Sequence, residues 1–169
     1  SLLETCMLLA CSVGSKFAII ALNGDQQVRY EEVAHAYGQE RRLAAVLPMD
    51  PPIDEYMLEG DEAAGRPIIA GFEAACRRAL AAGAEVIIPG DGVLNEFVWR
   101  HELRRVEGAP VMDAIGVLFR YAAFMAGARA TLGLGVSRVK HYARPSAEML
   151  QHARDFAGMR SAEEKDFSR

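Results

Sequence analysis

Three short apolar runs that alternate with helical patterns are the feature that most constrains this fold. The runs are KFAIIAL (16–22), RLAAVLPM (42–49) and AEVIIP (84–89), and a shorter run, APVMDA, follows at 109–114. A continuous apolar run is typical of a strand that is covered on both faces. Strands that alternate with helices predict βαβ units, so we expect an α/β fold with a parallel sheet of about four strands and helices on both faces.

The third run leads into a turn, Pro89-Gly90-Asp91-Gly92, and a helical pattern follows over 95–105. Parallel sheets bind ligands beyond the carboxyl ends of their strands. Glycines let backbone N–H groups approach a ligand, and a helix N-terminus adds positive partial charge. The turn therefore predicts a site for a carboxylate or enediolate oxygen, and a tight turn without a ligand is the alternative. Asn23, at the end of the first run, lies in the same layer.

Further helices are predicted over 2–13, 28–38, 68–83, 114–133 and 146–156. Asp113 precedes one of them and is predicted to cap it rather than to act as a catalytic acid. The segment 50–67, rich in proline and acidic residues, is either a solvated loop or a flap over a site. The basic loop 134–145 is either a solvated surface or a surface for a partner.

Charge and composition exclude several classes of function. The net charge of −4 argues against nucleic acid as a partner, because phosphate binding needs a basic face. No stretch approaches the length of a transmembrane helix, so no membrane association is expected. The three cysteines and four histidines have no metal-ligand spacing, so no metal site is predicted. Three thiols in apolar surroundings are typical of reduced cysteines in a cytoplasmic protein.

Five segments, in order, resemble the aspartate/glutamate/hydantoin racemases. They are LLETCMLLACSVGSKFAIIALN (2–23), YEEVAHAYGQERRLAAVLPMDPP (30–52), AGAEVIIPGDGVLNEF (82–97), GAPVMDAIGVLFRYAAFM (108–125) and LGLGVSRVKHYARP (132–145). The last is similar to the end of a branch often labelled hydrogenase expression or formation proteins. The resemblance extends over 1–157. Its specificity comes from the order and spacing of the segments, since no single motif is diagnostic.

The resemblance implies a fold like one half of the pseudo-symmetric racemase fold, which has two α/β domains. Residues 1–158 are then a single α/β domain that corresponds to the C-terminal portion of the family, with the N-terminal half-domain missing. Residues 159–169 are expected to be a charged, disordered tail.

The family works without a cofactor and uses two cysteines that face each other across a cleft. One thiolate removes the Cα proton, and the other thiol returns a proton to the opposite face. By this resemblance the first cysteine lies upstream of Ser1, and the second position matches Gly90, which has no thiol. Two-cysteine racemisation is therefore not available to this chain.

Asp91 is then the candidate catalytic base, with ligand hydrogen bonding or turn capping as its alternative roles. Pro89, Gly90 and Gly92 are candidate ligand-binding residues of the same turn. Asn23 lies where the family has a hydroxyl-bearing residue near the substrate carboxylate, and it could donate through its amide. A further candidate, Glu4, matches a family position but is also an ordinary acid in a first helical turn.

Together, these observations predict a racemase-like isomerase that acts at a carbon next to a carboxylate, on an amino acid or a hydantoin. A protein that binds a small acid without turnover is the first alternative, and an accessory factor in hydrogenase maturation is the second. The expected partners are a small carboxylate-bearing molecule, a second copy of the chain in a homodimer and, for the last alternative, a hydrogenase maturation partner.

Overall fold

The computed structural model describes residues 1–59 and 62–158, so the predicted tail 159–169 lies outside the described residues. The chain forms two compact units. The first, Ser1–Phe124, contains the sheet. The second begins at Met125 and contains the end of one long helix, a short 3-10 helix (Lys140–Tyr142) and a final helix.

The first unit is built on a parallel sheet of three strands, β1 (Phe17–Ala21), β2 (Leu43–Pro48) and β3 (Val86–Pro89), in the order β2-β1-β3. Both β2 and β3 pair in parallel with β1. The predicted α/β class and parallel sheet are confirmed. All five residues of β1 are buried, as its continuous apolar sequence predicts.

The sheet has three strands rather than the predicted four. Only Val111 of the predicted fourth strand pairs with the sheet, through a single parallel bridge to Ile87. The preceding residues form a small antiparallel hairpin of β4 (Arg105–Val106) and β5 (Ala109–Pro110). Pro110 has no N–H to donate to a ladder, which limits the strand.

A two-residue turn joins β4 to β5. Its two central residues, Glu107 and Gly108, have φ values of 49° and 88°. Positive φ at both positions is the geometry of the two-residue turns that match strand twist. The expectation of uninterrupted strand–helix alternation was therefore wrong at this one place.

Six helices are described: α1 (Leu2–Val13), α2 (Gly24–Ala36), α3 (Glu62–Ala81), α4 (Gly92–Arg100), α5 (Ala114–Leu132) and α6 (Ala147–Phe156). Helices α2 and α4 begin earlier than predicted because Asn23 and Asp91 cap them directly after a strand. Helix α3 begins before Pro67, although a proline usually marks a helix start. Pro67 is the sixth residue of α3, beyond the four whose N–H groups have no intrahelical partner, so it removes one bond of the helix.

Helices cover both faces of the sheet, as predicted. On one face, Phe17, Ile19 and Ile88 pack with apolar residues of α1 and α2. On the opposite face, Ile20 and Ile87 pack with residues of α3 and α4. In the described ranges, no helix is both long enough and apolar enough to cross a lipid bilayer.

The first part of the segment 50–67 is anchored to the sheet. The N–H of Ile53 donates to the carbonyl of Leu22 at 3.0 Å. A 3-10 helix, Glu55–Glu59, follows, and its Leu58 is buried in the core. These contacts hold Glu55 near the end of β1.

Candidate functional site

The strand order creates a crevice between β1 and β3. The chain leaves β1 through α2 toward β2, and α3 then crosses the other face to reach β3. Connections that depart in opposite directions from neighbouring strands leave a gap at their carboxyl ends, where α/β proteins bind ligands.

A cleft of about 420 Å³ lies in this crevice. It is lined from the α2 side by Gln26, Arg29, Tyr30, Val33 and Tyr37, from the β3–α4 turn by Gly90, Asp91 and Gly92, and elsewhere by Ser1, Leu2, Leu3 and Glu55. The predicted turn residues 90–92 therefore meet at one cleft. Pro89, Asn23 and Glu4 are not among the lining residues, and Pro89 is fully buried.

Asp91 is the N-cap of α4. Its Oδ1 accepts hydrogen bonds from the N–H groups of Val93 at 2.7 Å and Leu94 at 3.2 Å. The chain's own carboxylate thus occupies the helix terminus that was predicted to bind a ligand anion. Both bonds use Oδ1, so capping does not engage Oδ2, and Asp91 also lines the cleft.

Gly90 has no room for a side chain. A Cβ there would lie 2.5 Å from Cε2 of Tyr30, 2.8 Å from Cγ2 of Ile19 and 3.0 Å from the carbonyl oxygen of Ile20. The N–H of Gly90 donates to that same Ile20 oxygen at 2.9 Å, which continues the ladder beyond β3. In this packing a thiol cannot stand at position 90, and Asp91 is the first turn residue whose side chain borders the cleft.

Tyr30 is the principal cleft residue that sequence reasoning missed. Burial, together with a smaller contribution from the nearby Asp91 carboxylate, raises the pKa of its hydroxyl to about 12. Arg29 lowers it and Glu55 raises it. The hydroxyl therefore stays protonated at neutral pH and is a hydrogen-bond donor. A tyrosine on the apolar side of a helix ordinarily indicates core, so the sequence carried no local signal for this role.

Asn23 and Glu4 serve as helix caps. Oδ1 of Asn23 accepts the N–H of Gln26 at 3.1 Å, and Oε1 of Gln26 accepts the N–H of Leu22 at 2.9 Å. Capping leaves the Nδ2 group of Asn23 for another acceptor. Glu4 accepts from the Ser1 amino group at 3.1 Å, while its own N–H donates to the Ser1 hydroxyl, which forms a capping box. Their predicted ligand roles stay predictions.

The side chain of the buried residue Asn95, in α4, forms hydrogen bonds with the start of α5. Asn95 is 2% exposed, donates to Oδ1 of Asp113 at 3.2 Å and accepts the N–H of Ala114 at 2.7 Å. Oδ1 of Asp113 also accepts the N–H of Gly116 at 2.9 Å, so the predicted cap is confirmed. Asn95 lies one turn after Asp91 and so links the α4 terminus at the cleft to α5.

The thiols lie outside the cleft. Cys6 and Cys76 are buried, and burial raises the pKa of each to about 12. The Asp113 carboxylate contributes to the shift of Cys6 and Glu73 to that of Cys76. Cys11 is partly exposed, and its Sγ contacts Oε1 of Gln39 at 3.4 Å. In the described part of the chain, no three His, Cys, Asp or Glu side chains group as a metal site requires.

Compared with protein families and with curated proteins, the sequence gives no match. Two solved structures have a similar fold. An allantoin racemase from Klebsiella pneumoniae has a TM-score of 0.68 and 23% identity, over 86% of this chain and 55% of that chain. An allantoin racemase from Pseudomonas fluorescens has a TM-score of 0.62 and 24% identity, over 85% and 57%. This chain thus has the racemase fold and spans a little over half the length of each.

Proposed function

We propose that this chain belongs to the aspartate/glutamate/hydantoin racemase superfamily and binds a small carboxylate-bearing molecule in its cleft. On this proposal it is a cofactor-independent isomerase that acts at a carbon next to the carboxylate, with Asp91 as the acid–base group. The observation that carries the proposal is the cleft itself. It lies at the crevice of a racemase-like sheet, and its lining includes both the Asp91 carboxylate and a cation, Arg29.

The binding step uses the guanidinium of Arg29 and the first turn of α4. Arg29 is a natural partner for a carboxylate because its fork can donate two parallel hydrogen bonds. Gly90 donates its N–H to Ile20, so a ligand oxygen would meet the backbone N–H groups that follow it in the turn, such as that of Gly92. A ligand held in this way has its carboxylate at the cleft wall and its next carbon near Asp91.

The chemical step is a proton transfer at that carbon. The Asp91 carboxylate takes the proton, and the electron pair of the C–H bond moves into the ligand carboxylate as an enediolate. Asp91 then returns a proton to the same carbon. A single group returns the proton to the face from which it came, so Asp91 alone gives exchange without inversion. Inversion needs a second group on the opposite face.

Binding without turnover is the second candidate function. The two cap bonds to Oδ1 favour it, because they hold the Asp91 carboxylate as a structural group of α4. A third role, in hydrogenase maturation, stays a prediction from the sequence resemblance.

Solvent exchange at the substrate carbon tests the enzymatic proposal. The protein is incubated in D2O with aspartate, glutamate and several 5-substituted hydantoins, and the substrate protons are followed by NMR. We expect loss of the signal next to the carboxyl or carbonyl group for at least one compound. The Asp91→Asn variant should lose this activity by about 100-fold or more, the size of a general-base contribution. Asparagine is an equally good N-cap, so its fold should be unchanged.

Glu96→Gln is the matched control, because it also neutralises one carboxylate of α4 but at an exposed position. It should exchange like the wild type. Exchange that survives Asp91→Asn would remove Asp91 from the mechanism. A ligand that raises the melting temperature without any exchange would instead favour the binding protein.

We also propose a homodimer. An apolar pocket of about 380 Å³ lies between α1 and the first part of α5, lined by Leu9, Val117, Arg120, Tyr121 and Phe124. Phe119 and Phe124 are 69% and 61% exposed. Apolar surface of this kind is stabilised by burial in an interface. Light scattering coupled to size exclusion should give twice the chain mass, and Phe124→Glu should halve it. A monomeric wild-type chain would contradict the proposal.

A further inference from the structure

The ring of Tyr30 fills the space that a side chain at Gly90 would need. Its Cε2 atom lies 2.5 Å from the Cβ position of that residue, so the ring edge rests directly on the Gly90 backbone. Cε2 is bonded to the ring carbon that carries the hydroxyl. The hydroxyl is therefore close to the β3–α4 turn, the same turn that supplies Asp91 and Gly92 to the cleft.

The ring is fixed by packing. Tyr30 is only 6% exposed and packs in the cluster that includes Ile19 and Ala34. The backbone of β1 lies beneath Gly90, because the Ile20 carbonyl is within hydrogen-bond distance of its N–H. Neither the ring nor the turn can shift far, so Tyr30 is a rigid part of the cleft wall.

The charges around Tyr30 define what its hydroxyl can do. Asp91 and Glu55 are both close enough to disfavour the phenolate, and burial acts in the same direction. A phenol that keeps its proton is a donor, and Tyr30 places this donor beside the turn that supplies Asp91 and Gly92 to the cleft. An oxygen acceptor on a ligand is the group that such a hydroxyl binds.

We propose that Tyr30 is a ligand-binding and specificity-determining residue of this cleft: its hydroxyl donates to an oxygen of the bound carboxylate-bearing molecule, and its ring limits the depth of the cleft. This inference rests on the proposed binding function and adds a named donor and a size limit to it. In this structure the Tyr30 ring, which comes from α2, fills the volume that a cysteine side chain at position 90 would occupy.

The hydroxyl is tested with Tyr30→Phe, which keeps the ring and its packing. Binding of L- and D-aspartate, L- and D-glutamate and 5-substituted hydantoins is measured by calorimetry. For each compound that binds the wild type, Kd should rise about tenfold in Tyr30→Phe, the effect of losing a hydrogen bond to a charged group. The melting temperature should change by less than about 3 °C.

Tyr56→Phe is the matched control, because Tyr56 is 82% exposed and does not line the cleft. Its Kd values should stay within about twofold of the wild type. Equal affinities in wild type and Tyr30→Phe would overturn the role of the hydroxyl while leaving the binding function in place. A wild-type protein that binds no compound would overturn the proposed function, and this inference with it.

The size limit is tested with Tyr30→Leu, which replaces the ring by a smaller apolar side chain and so should deepen the cleft without adding charge. The ratio of the aspartate Kd to the glutamate Kd should rise about fivefold, because the longer acid gains the vacated space. A ratio that does not change would overturn the size limit. The ratio is read within one variant, so a general loss of stability does not affect it.

Discussion

Gly90→Cys should destabilise the protein by about 3 kcal/mol, the upper range for inserting a side chain into a packed site. The reason is the geometry of the three contacts. A Cβ at this position would overlap the Tyr30 ring and the Ile19 methyl group and would touch the Ile20 carbonyl oxygen. The last of these belongs to the backbone of the central strand, so relaxation must come from the two side chains, which are packed in the core.

Urea denaturation measures this effect, with Gly92→Cys as the matched control. Gly92 lies two residues away in the same turn, and a Cβ there would meet no atom within 4 Å. Its substitution should change the free energy of unfolding by less than about 0.5 kcal/mol. If the two variants were equally stable, the Tyr30 ring would have to move freely away from the turn. The fixed cleft wall would then be wrong.

The steric conflict at Gly90 also predicts how Gly90→Cys affects racemase activity. A cysteine introduced at Gly90 should not produce racemisation, because its Cβ would collide with Ile19 and Tyr30 and the turn would have to distort to hold the thiol. The resemblance to two-cysteine racemases assigned the missing thiol to this position. The geometry indicates that the turn has been repacked around Tyr30, so restoring one residue does not restore the site.

The sheet could be predicted from the sequence because its strands are continuous apolar runs. β1 and β3 are buried throughout, which demands such runs, whereas only Val46 of β2 is buried. All three strands lie inside the predicted limits. The fourth strand could not be predicted in the same way. Its apolar pattern is real, but Pro110 and the Glu107-Gly108 turn divert the chain into a hairpin before it reaches the sheet.

The cleft was only half predictable. Gly90, Asp91 and Gly92 follow a strand directly, so local sequence revealed them. Tyr30, which comes from the middle of α2, reaches the cleft through the packing of α2 on the sheet. Which helix residue faces a crevice depends on strand order and helix rotation. One sequence gives no direct measure of either, since tertiary packing fixes both.

The roles of polar residues at the starts of helices also could not be assigned from the sequence alone. Asn23 was predicted to bind a ligand, and Asp91 to act as a base, to bind a ligand or to cap. Both residues cap helices. At the carboxyl end of a parallel strand the next helix often begins at once, so capping and ligand binding compete for the same positions. Hydrogen-bond geometry separates the two roles, and the residue type alone does not.

Asn95→Leu should cost about 3 kcal/mol of unfolding free energy, because it removes a buried hydrogen bond from Ala114 and a partly buried one to the Asp113 carboxylate. Leucine has a similar volume, so the loss is of polar contacts rather than of packing. The N–H of Ala114 and the Oδ1 atom of Asp113 would each lose their partner on α4. Ala114 is fully buried, so water cannot readily replace the lost acceptor.

Urea denaturation of Asn95→Leu and Glu96→Leu separates this cost from a general effect of apolar substitution. Glu96 is the next residue of α4 and is exposed, so its replacement should change stability by less than about 0.5 kcal/mol. Asn95→Asp adds a second test, since it keeps an acceptor for Ala114 but brings a carboxylate to Asp113. It should be less stable than the wild type at neutral pH, because two carboxylates then face each other. A stable Asn95→Leu variant would show that packing alone holds α5 to α4.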